Sequence, residues 1–514
     1  MKKRIVPLLL TVMIFLGGCG NVDDSVQDKL YDELSQYYQV EKKDDNPPLT
    51  AFTLPILQGQ TLDPITCPDG AQQTLGSLLY ESLFALNPQF APENVLAESY
   101  SYDAATFTYT ITLRSGVSFS DGSLLTAYDV VNCLQRARSS VRYAARLSAV
   151  SSLSAGDEST VYIRLRSANS SFASRLDIPI VKSGTEKQLV PLGTGPYCYQ
   201  AEEGGHACLR SNENWWQKQS LPLQRIELRS VKDNDTMAYT FYSREVQLLN
   251  CDLTATTSAN VSGGGNYTDA DTATMLYIGI NTTRQPLQDA AVRQALNLGL
   301  DRVGCVNSFL MGHGATAQFP LSPVCALYPK DSEINYSPDH FAQAAEKAGI
   351  TKGNTRSLSL LVNEESTVKV SMAQKIATEL SSYDLKISVD AVPWESYLSA
   401  LNRGQFDLYL GECKLTADWD LTSLLLPGGA LNYGGFSDPA ITALVQQYLN
   451  AADDTTRQNT MHTLCQKLQQ QAPILPICFK RTSVLLTAGA VEVITPTACN
   501  PFYGLSEWKV NLHK

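Results

Sequence analysis

The stretch "SLSLLVNEESTVKVSMAQKIATELSSYDLKISVDAVPWESYLSALNRGQFDLYLGEC", Ser357 to Cys413, decides the fold. "SLSLLVN" is a short apolar run of strand length. "VSMAQKIATELSSY" carries apolar residues at helical spacing, and "LKISVDAV" alternates at period two. "SYLSALNRGQFDLYLGEC" adds another helix and another strand. Strand-helix-strand-helix-strand order predicts an α/β architecture with a largely parallel sheet.

Working outward, "TMLYIGINTT" reads as an apolar strand ending in Asn281, and "DAAVRQALNLGLDRVG" as one amphipathic helix. "FAQAAEKAG" is a helix closed by Gly349. Helices are expected from Ala440 to Asn450 and from Thr455 to Gln471, followed by the strand "ILPICFK". Towards the N-terminus, "VYIRLRS" is a strand and "GTGPYCYQ" joins a glycine-rich turn to a strand. "TLDPITCPDGAQQTLGSLLYESLF" places Leu75, Leu78, Leu79 and Leu83 at helical spacing. In "LRSGVSFSDGSLLTAYDVVNCLQRAR", Leu113 to Arg138, a strand with Phe107, Tyr109, Ile111 and Leu113 on one face turns at Asp121-Gly122. A helix follows, with Thr126 as cap and Asp129 three residues on. Capping and turn chemistry explain that corner without any catalytic group. No internal repeat or low-complexity tract stands out.

A chain of 514 residues with 44% hydrophobic and 18% charged content is globular and long enough for two or three domains. Lys2, Lys3 and Arg4 precede the apolar run Ile5 to Leu16 and then Gly17, Gly18 and Cys19, the order of a secretory signal. The run is too short to span a bilayer. "LGGC" resembles a bacterial lipobox, with residues 1–18 as signal peptide and Cys19 as the lipid attachment site. Residues 19–48 then read as a polar, acidic tether, in which Val26, Leu30, Leu34 and Tyr38 permit a short helix. The body is expected outside the cytoplasmic membrane, lipid-anchored on its outer face or in the periplasm. Loss of the leader leaves 37 Lys and Arg against 51 Asp and Glu, a net charge of −14. Such a balance argues against nucleic acid and anionic lipid as partners.

Twelve cysteines include neither a C-x-x-C pair nor a Cys/His cluster at zinc spacing, and the five histidines do not group. No metal site and no cofactor are expected. Cys198 and Cys208, which flank "YQAEEGGHA", are the disulfide candidates, because a Glu-Gly-Gly turn sets their strands side by side. A secreted α/β hydrolase is the rival from another class. It lacks a G-x-S-x-G, an H-E-x-x-H and a P-loop to support it.

Nine segments occur in the order of one known family: "TLDP" (61–64), "LLYESLF" (78–84), "LRSGVSFSDGSLLTAYDVV" (113–131), "GTGPY" (193–197), "NENWW" (212–216), "LYIGINTT" (276–283), "AVRQALNLGLDR" (291–302), "YSPDHFAQAAEKAGI" (336–350) and "QAPILPI" (471–477). Through them the sequence resembles the bacterial extracellular solute-binding proteins of family 5, the oligopeptide- and dipeptide-binding proteins of ABC importers, in lipoprotein form. The resemblance implies a bilobed periplasmic-binding-protein type II fold with an extra inserted domain. Lobe I would comprise 49–66, 186–272 and 485–514, the inserted subdomain 67–185, and lobe II 273–484. The implied protein is a monomer and not an enzyme. It captures short peptides between its lobes and delivers them to permease subunits. A cargo of another kind, such as a metal complex, haem, an opine or a sugar, is the alternative on the same fold.

By the same resemblance, "ADWDLTSLL" places Asp418 where peptide-binding members meet the α-ammonium of the ligand. A charge-assisted hydrogen bond of that kind is worth about 1.5–3 kcal/mol. The family often carries Trp three residues before this Asp, where Leu415 stands here, whereas Trp419 follows it; Asp420 is then the competing partner. Main-chain groups around Thr416 would extend the peptide as an added strand. Trp394, Tyr433 and Asn432 sit where the family lines its cleft. Arg293 and Asp301 read as a solvated structural pair, and His313 as an incidental residue near a cleft loop.

Overall fold

The computed structural model describes residues 49–254, 265–381 and 384–512. The leader, Cys19 and the spacing of Val26 to Tyr38 lie outside the described residues. Three main sheets organise the chain. The first runs Thr53–Leu57, Arg225–Val231, Ala207–Ser211, Tyr197–Ala201, and its first pair is parallel. A second, four-stranded and antiparallel, runs Ala97–Asp103, Thr108–Leu113, Thr160–Leu165, Val150–Ala155.

The third has seven strands, in the order Leu248–Cys251, Ile474–Thr487, Gly265–Ile280, Leu408–Lys414, Arg356–Asn363, Leu385–Val392, with Gly314–Thr316 beside Ile474–Thr487. Only its last two ladders are parallel. The expected largely parallel sheet is therefore mixed, because the long strands Gly265–Ile280 and Ile474–Thr487 pair antiparallel and join the parallel part from one side. Its centre is buried on both faces. Met275, Tyr277, Tyr409 and Cys413 face one core, while Leu276, Ile278, Leu408 and Leu410 face the other. Alternation thus feeds two cores at once, and these strands read as continuous apolar runs for that reason.

"DAAVRQALNLGLDRVG" forms two helices, Ala290–Leu298 and Arg302–Phe309. Gly299 ends the first, and the Asp301 carboxylate caps the second by accepting from Gly304 N at 2.8 Å. Asp301 also pairs with Lys375 at 3.1 Å. Arg293 is buried rather than solvated, donating to the carbonyls of Gln471 and Leu287 at 2.8 Å and of Gln288 at 2.9 Å. The helices Pro439–Leu449 and Asp454–Gln471 lie within a residue of their expected bounds.

The strands Tyr197–Ala201 and Ala207–Ser211 form the expected hairpin, but the disulfide is not made. Cys198 stands opposite Arg210 and Cys208 opposite Gln200, so the two thiols are two positions out of register. Diagonal neighbours in an antiparallel pair are too far apart for a bridge without backbone movement. Every cysteine among the described residues is a free thiol. Burial pushes those of Cys133 and Cys413 up to about 12, far from nucleophilic thiolate.

At the corner, Asp121 accepts from Ser123 N at 3.1 Å, and Thr126 N donates to Asp129 at 3.0 Å. The Asp129 carboxylate also accepts from Ser183 N at 3.0 Å, tying the helix start to a distant loop. Ser120 N donates to Gly193 O, and Asn214 donates to Ser120 O. The corner is therefore docked on the segments that contain "GTGPY" and "NENWW".

Candidate functional site

The turn after the strand Leu408–Lys414 carries the residues singled out for ligand binding. Leu415 N still bonds Ala273 O, and Trp419 N then closes on Thr416 O at 2.9 Å, with Trp419 at φ +53°. That closure turns Asp418 inward, where it is 1% exposed. Its Oδ2 accepts from Asn169 Nδ2 at 2.6 Å and from Arg175 Nε at 2.5 Å. Arg175 Nη2 reaches Asp420 at 2.9 Å. Burial works against the guanidinium's charge, but Asp418 and Asp420 outweigh it and leave its pKa raised. Tyr448 donates to Asp418 O at 2.7 Å, and Ser170 N to Leu449 O at 2.9 Å. The segment 169–175 is thus fastened to the turn by side-chain bonds and to the end of the helix Pro439–Leu449 by a main-chain bond.

Asp418 Oδ1 is buried and has no hydrogen-bond partner. A buried acceptor left unpaired costs about 1–3 kcal/mol, which marks it as a place where a donor would be welcome.

Trp419, the ligand-binding candidate beside Asp418, is 2% exposed and belongs to the core, edge-on to Phe90 at 5.3 Å and to Phe479 at 6.0 Å. Phe90 in turn walls a cavity of about 260 Å³ formed by residues 86–88, 90, 268–271 and 494–499. The 418–420 turn therefore stands directly behind one wall of that cavity. Two further carboxylates face it. Asp269 accepts from Ser483 Oγ at 2.6 Å and lies 3.0 Å from His313 Nδ1, and Asp271 pairs with Arg481 at 2.8 Å. His313, read as incidental, is buried against a cavity residue. Both acids lie in the paired stretch just before the long strands lose register between Asp271 and Met275.

The other candidates separate. Thr416 is half-buried in the same turn as Asp418. The Asn432 amide is consumed by its own loop, donating to Leu426 O at 3.0 Å and Phe436 O at 2.8 Å and accepting from Phe436 N at 3.0 Å. Tyr433 packs edge-on to Tyr409 at 6.0 Å. Trp394 is 47% exposed, its ring stacked on Tyr397 at 5.6 Å, and is free to offer its outer face. Sequence reasoning missed Asn169, Arg175, Phe90, Asp269 and Asp271. Arg175 lies 243 residues from Asp418, so no local pattern links them. Among the described residues no three His, Cys, Asp or Glu side chains converge where a metal ion would be held. No described helix is long and apolar enough to cross a membrane.

Comparison with known proteins identifies the scaffold. Residues 91–427 match the family "Bacterial extracellular solute-binding proteins, family 5 Middle". The chain is similar to the glutathione-binding protein GsiB of Escherichia coli O6:K15:H31, 26% identical over 448 residues, covering 82% of this chain and 87% of the relative. Among solved structures it resembles the nickel ABC transporter protein of Bacillus halodurans, with TM-score 0.74, 19% identity, and 88% and 98% of the two chains covered. It also resembles the oligopeptide-binding protein AppA of Bacillus subtilis in complex with a nonapeptide, with TM-score 0.60, 20% identity, and 90% and 100% covered. The fold is accordingly the bilobed α/β periplasmic-binding type with an additional inserted domain. The chain belongs to the family-5 bacterial extracellular solute-binding proteins, and is the extracytoplasmic, non-enzymatic binding component that hands a solute to an ABC importer.

Proposed function

We propose that this protein captures short peptides between its lobes, binds the peptide's α-ammonium at Asp418, and presents the closed complex to its permease. The observation that carries this reading is the buried, unpartnered Oδ1 of Asp418, in the turn whose next residue, Trp419, packs on the Phe90 wall of the cavity. An ammonium offers the N–H donor which that oxygen lacks. Glutathione, the ligand named for a relative, is itself a tripeptide, and a nonapeptide occupies a structural neighbour. Within this reading lobe I is 49–66, 186–272 and 485–514, the inserted domain 67–185 and lobe II 273–484. Closure moves lobe II by bending the two long strands, and ligand shifts the balance by binding the closed form better. Thr416 backbone and the exposed Trp394 face serve the rest of the peptide. Cys19 carries lipid and residues 19–48 act as the tether.

Native mass spectrometry of the full-length protein, isolated from a bacterial host without denaturation, tests both parts. The expected result is a chain beginning at Cys19 with added diacylglyceryl mass, and releasable adducts that sequence as peptides. A metal complex or sugar as the released species would overturn the peptide assignment, and an unmodified Cys19 the anchor. For a peptide so identified, Asp418→Asn should weaken binding by about 10- to 100-fold, the loss of a charge-assisted hydrogen bond. An unchanged Kd would remove Asp418 from the site.

A further inference from the structure

The 418–420 turn brings two carboxylates onto one guanidinium. Arg175 gives Nε to Asp418 and Nη2 to Asp420, at 2.5 and 2.9 Å. Its own position is fixed from behind, because Arg146 Nε donates to Arg175 O at 2.7 Å and Arg175 Nη1 reaches Arg146 O at 3.4 Å. The other charges nearby cancel in pairs, Arg146 with Asp177 and Arg457 with Asp454. What remains is one net negative charge and one buried acceptor, Asp418 Oδ1.

Resting on the reading of Asp418 as ammonium acceptor, we infer that Arg175 sets the charge class of the ligand group admitted at this turn: a single monocation, and not a divalent ion. Two carboxylates close enough to share one guanidinium fork would otherwise supply the hard, doubly charged oxygen set that divalent cations favour. A guanidinium does not deprotonate in proteins, so the selectivity holds at every physiological pH. Holding Oδ2 in a fixed fork, it also leaves Oδ1 as the carboxylate's unpartnered oxygen. Arg175 is thus a positioning and selectivity residue that acts through Asp418.

Titration with Mn²⁺, a probe that prefers oxygen ligands, tests the inference in the purified mature chain. Arg175→Gln should bind Mn²⁺ at least tenfold more tightly than the parent, and adding Asp420→Asn should abolish the gain. Arg175→Lys, which keeps the charge, should show no gain. Equal affinity of parent and Arg175→Gln would overturn the proposal. A second measurement needs no change at Arg175, should Arg175→Gln fail to fold. The parent's melting temperature should show no Mn²⁺-dependent rise that Asp418→Asn removes, and such a rise would equally overturn the proposal. Because these titrations contain no peptide, their outcome is separable from that of the Asp418→Asn peptide titration.

Discussion

Glu81 accepts from Trp215 Nε1 at 3.0 Å, Trp216 Nε1 at 2.8 Å, Thr194 Oγ1 at 2.9 Å and Gln217 Nε2 at 3.3 Å. Burial pushes its carboxyl pKa up, against those four donors. One side chain thereby joins "LLYESLF", "GTGPY" and "NENWW". Truncation would leave two buried donors, Trp215 and Thr194, without an acceptor, so Glu81→Ala should cost about 2 kcal/mol or more of stability, read from the midpoint of urea denaturation. A loss under 1 kcal/mol would show that water replaces the carboxylate. The three motifs were legible in the sequence, but the residue that makes them one unit was not, since its partners arrive from 113 to 136 positions away. Asp418 was singled out through the motif around it, whereas the Arg175 guanidinium that pairs with it was not.

At the level of elements, local chemistry carried most of the information. Asp121-Gly122, the Thr126 and Asp129 cap and the alternation of Tyr109, Ile111 and Leu113 each specify their own geometry, and each forms as expected, whereas Phe107, expected on the same face, stands just before the strand at φ +56°. What the pattern could not show is why "GTGPY" needs its glycines. A Cβ on Gly193 would stand 2.1 Å from Leu79 O, so a helix end and this turn meet backbone to backbone. Gly299 illustrates the opposite error: the apolar spacing of "AVRQALNLGL" runs through it, yet Asp301 claims the next amides and restarts the helix. The corner also has a pH signature. The Lys182 ammonium and the Ser123 hydroxyl hold the Asp121 carboxyl down at about 2, below its ordinary 3.8. A depressed folded-state pKa gives stability that is fully present above about 4 and lost as pH falls towards 2. Because the pair is roughly one-third exposed, that contribution should stay below about 1 kcal/mol. Asp121→Asn should therefore be slightly less stable than the parent at pH 5, and the difference should shrink below pH 4 and vanish only below about pH 2. A pH-independent difference in urea midpoints would mean the ion pair contributes nothing.

For the whole molecule, the sheets differ in how they are covered, and that difference should govern dynamics. The strands around Met275 to Ile280, Leu408 to Leu410 and Leu358 to Val362 have apolar cores on both faces. The strands Ala97–Asp103 and Val150–Ala155 bury little beyond their first residues. "SLSLLVN" and "LYLGEC" announced the two-faced burial as continuous apolar runs. Nothing local announced that the sheet would be mixed, because the antiparallel ladders join strands separated by the intervening α/β segment. Amides sealed on both faces exchange with solvent only when the surrounding core opens, whereas those of a one-faced edge strand exchange through smaller, cheaper openings. Native-state hydrogen exchange should accordingly rank Leu276, Ile278, Leu360 and Leu410 among the slowest amides, at the global unfolding free energy. Ser152 and Ser154 should exchange through sub-global opening, with weaker dependence on denaturant. Peptide binding should add protection at residues 268–271 and 416–420 and leave the slowest set unchanged, because a ligand held between lobes stabilises the contact between them and not a core already sealed. Uniform slowing across both groups of strands would instead mean that the chain opens as one cooperative block, and that the lobes do not move as separate bodies.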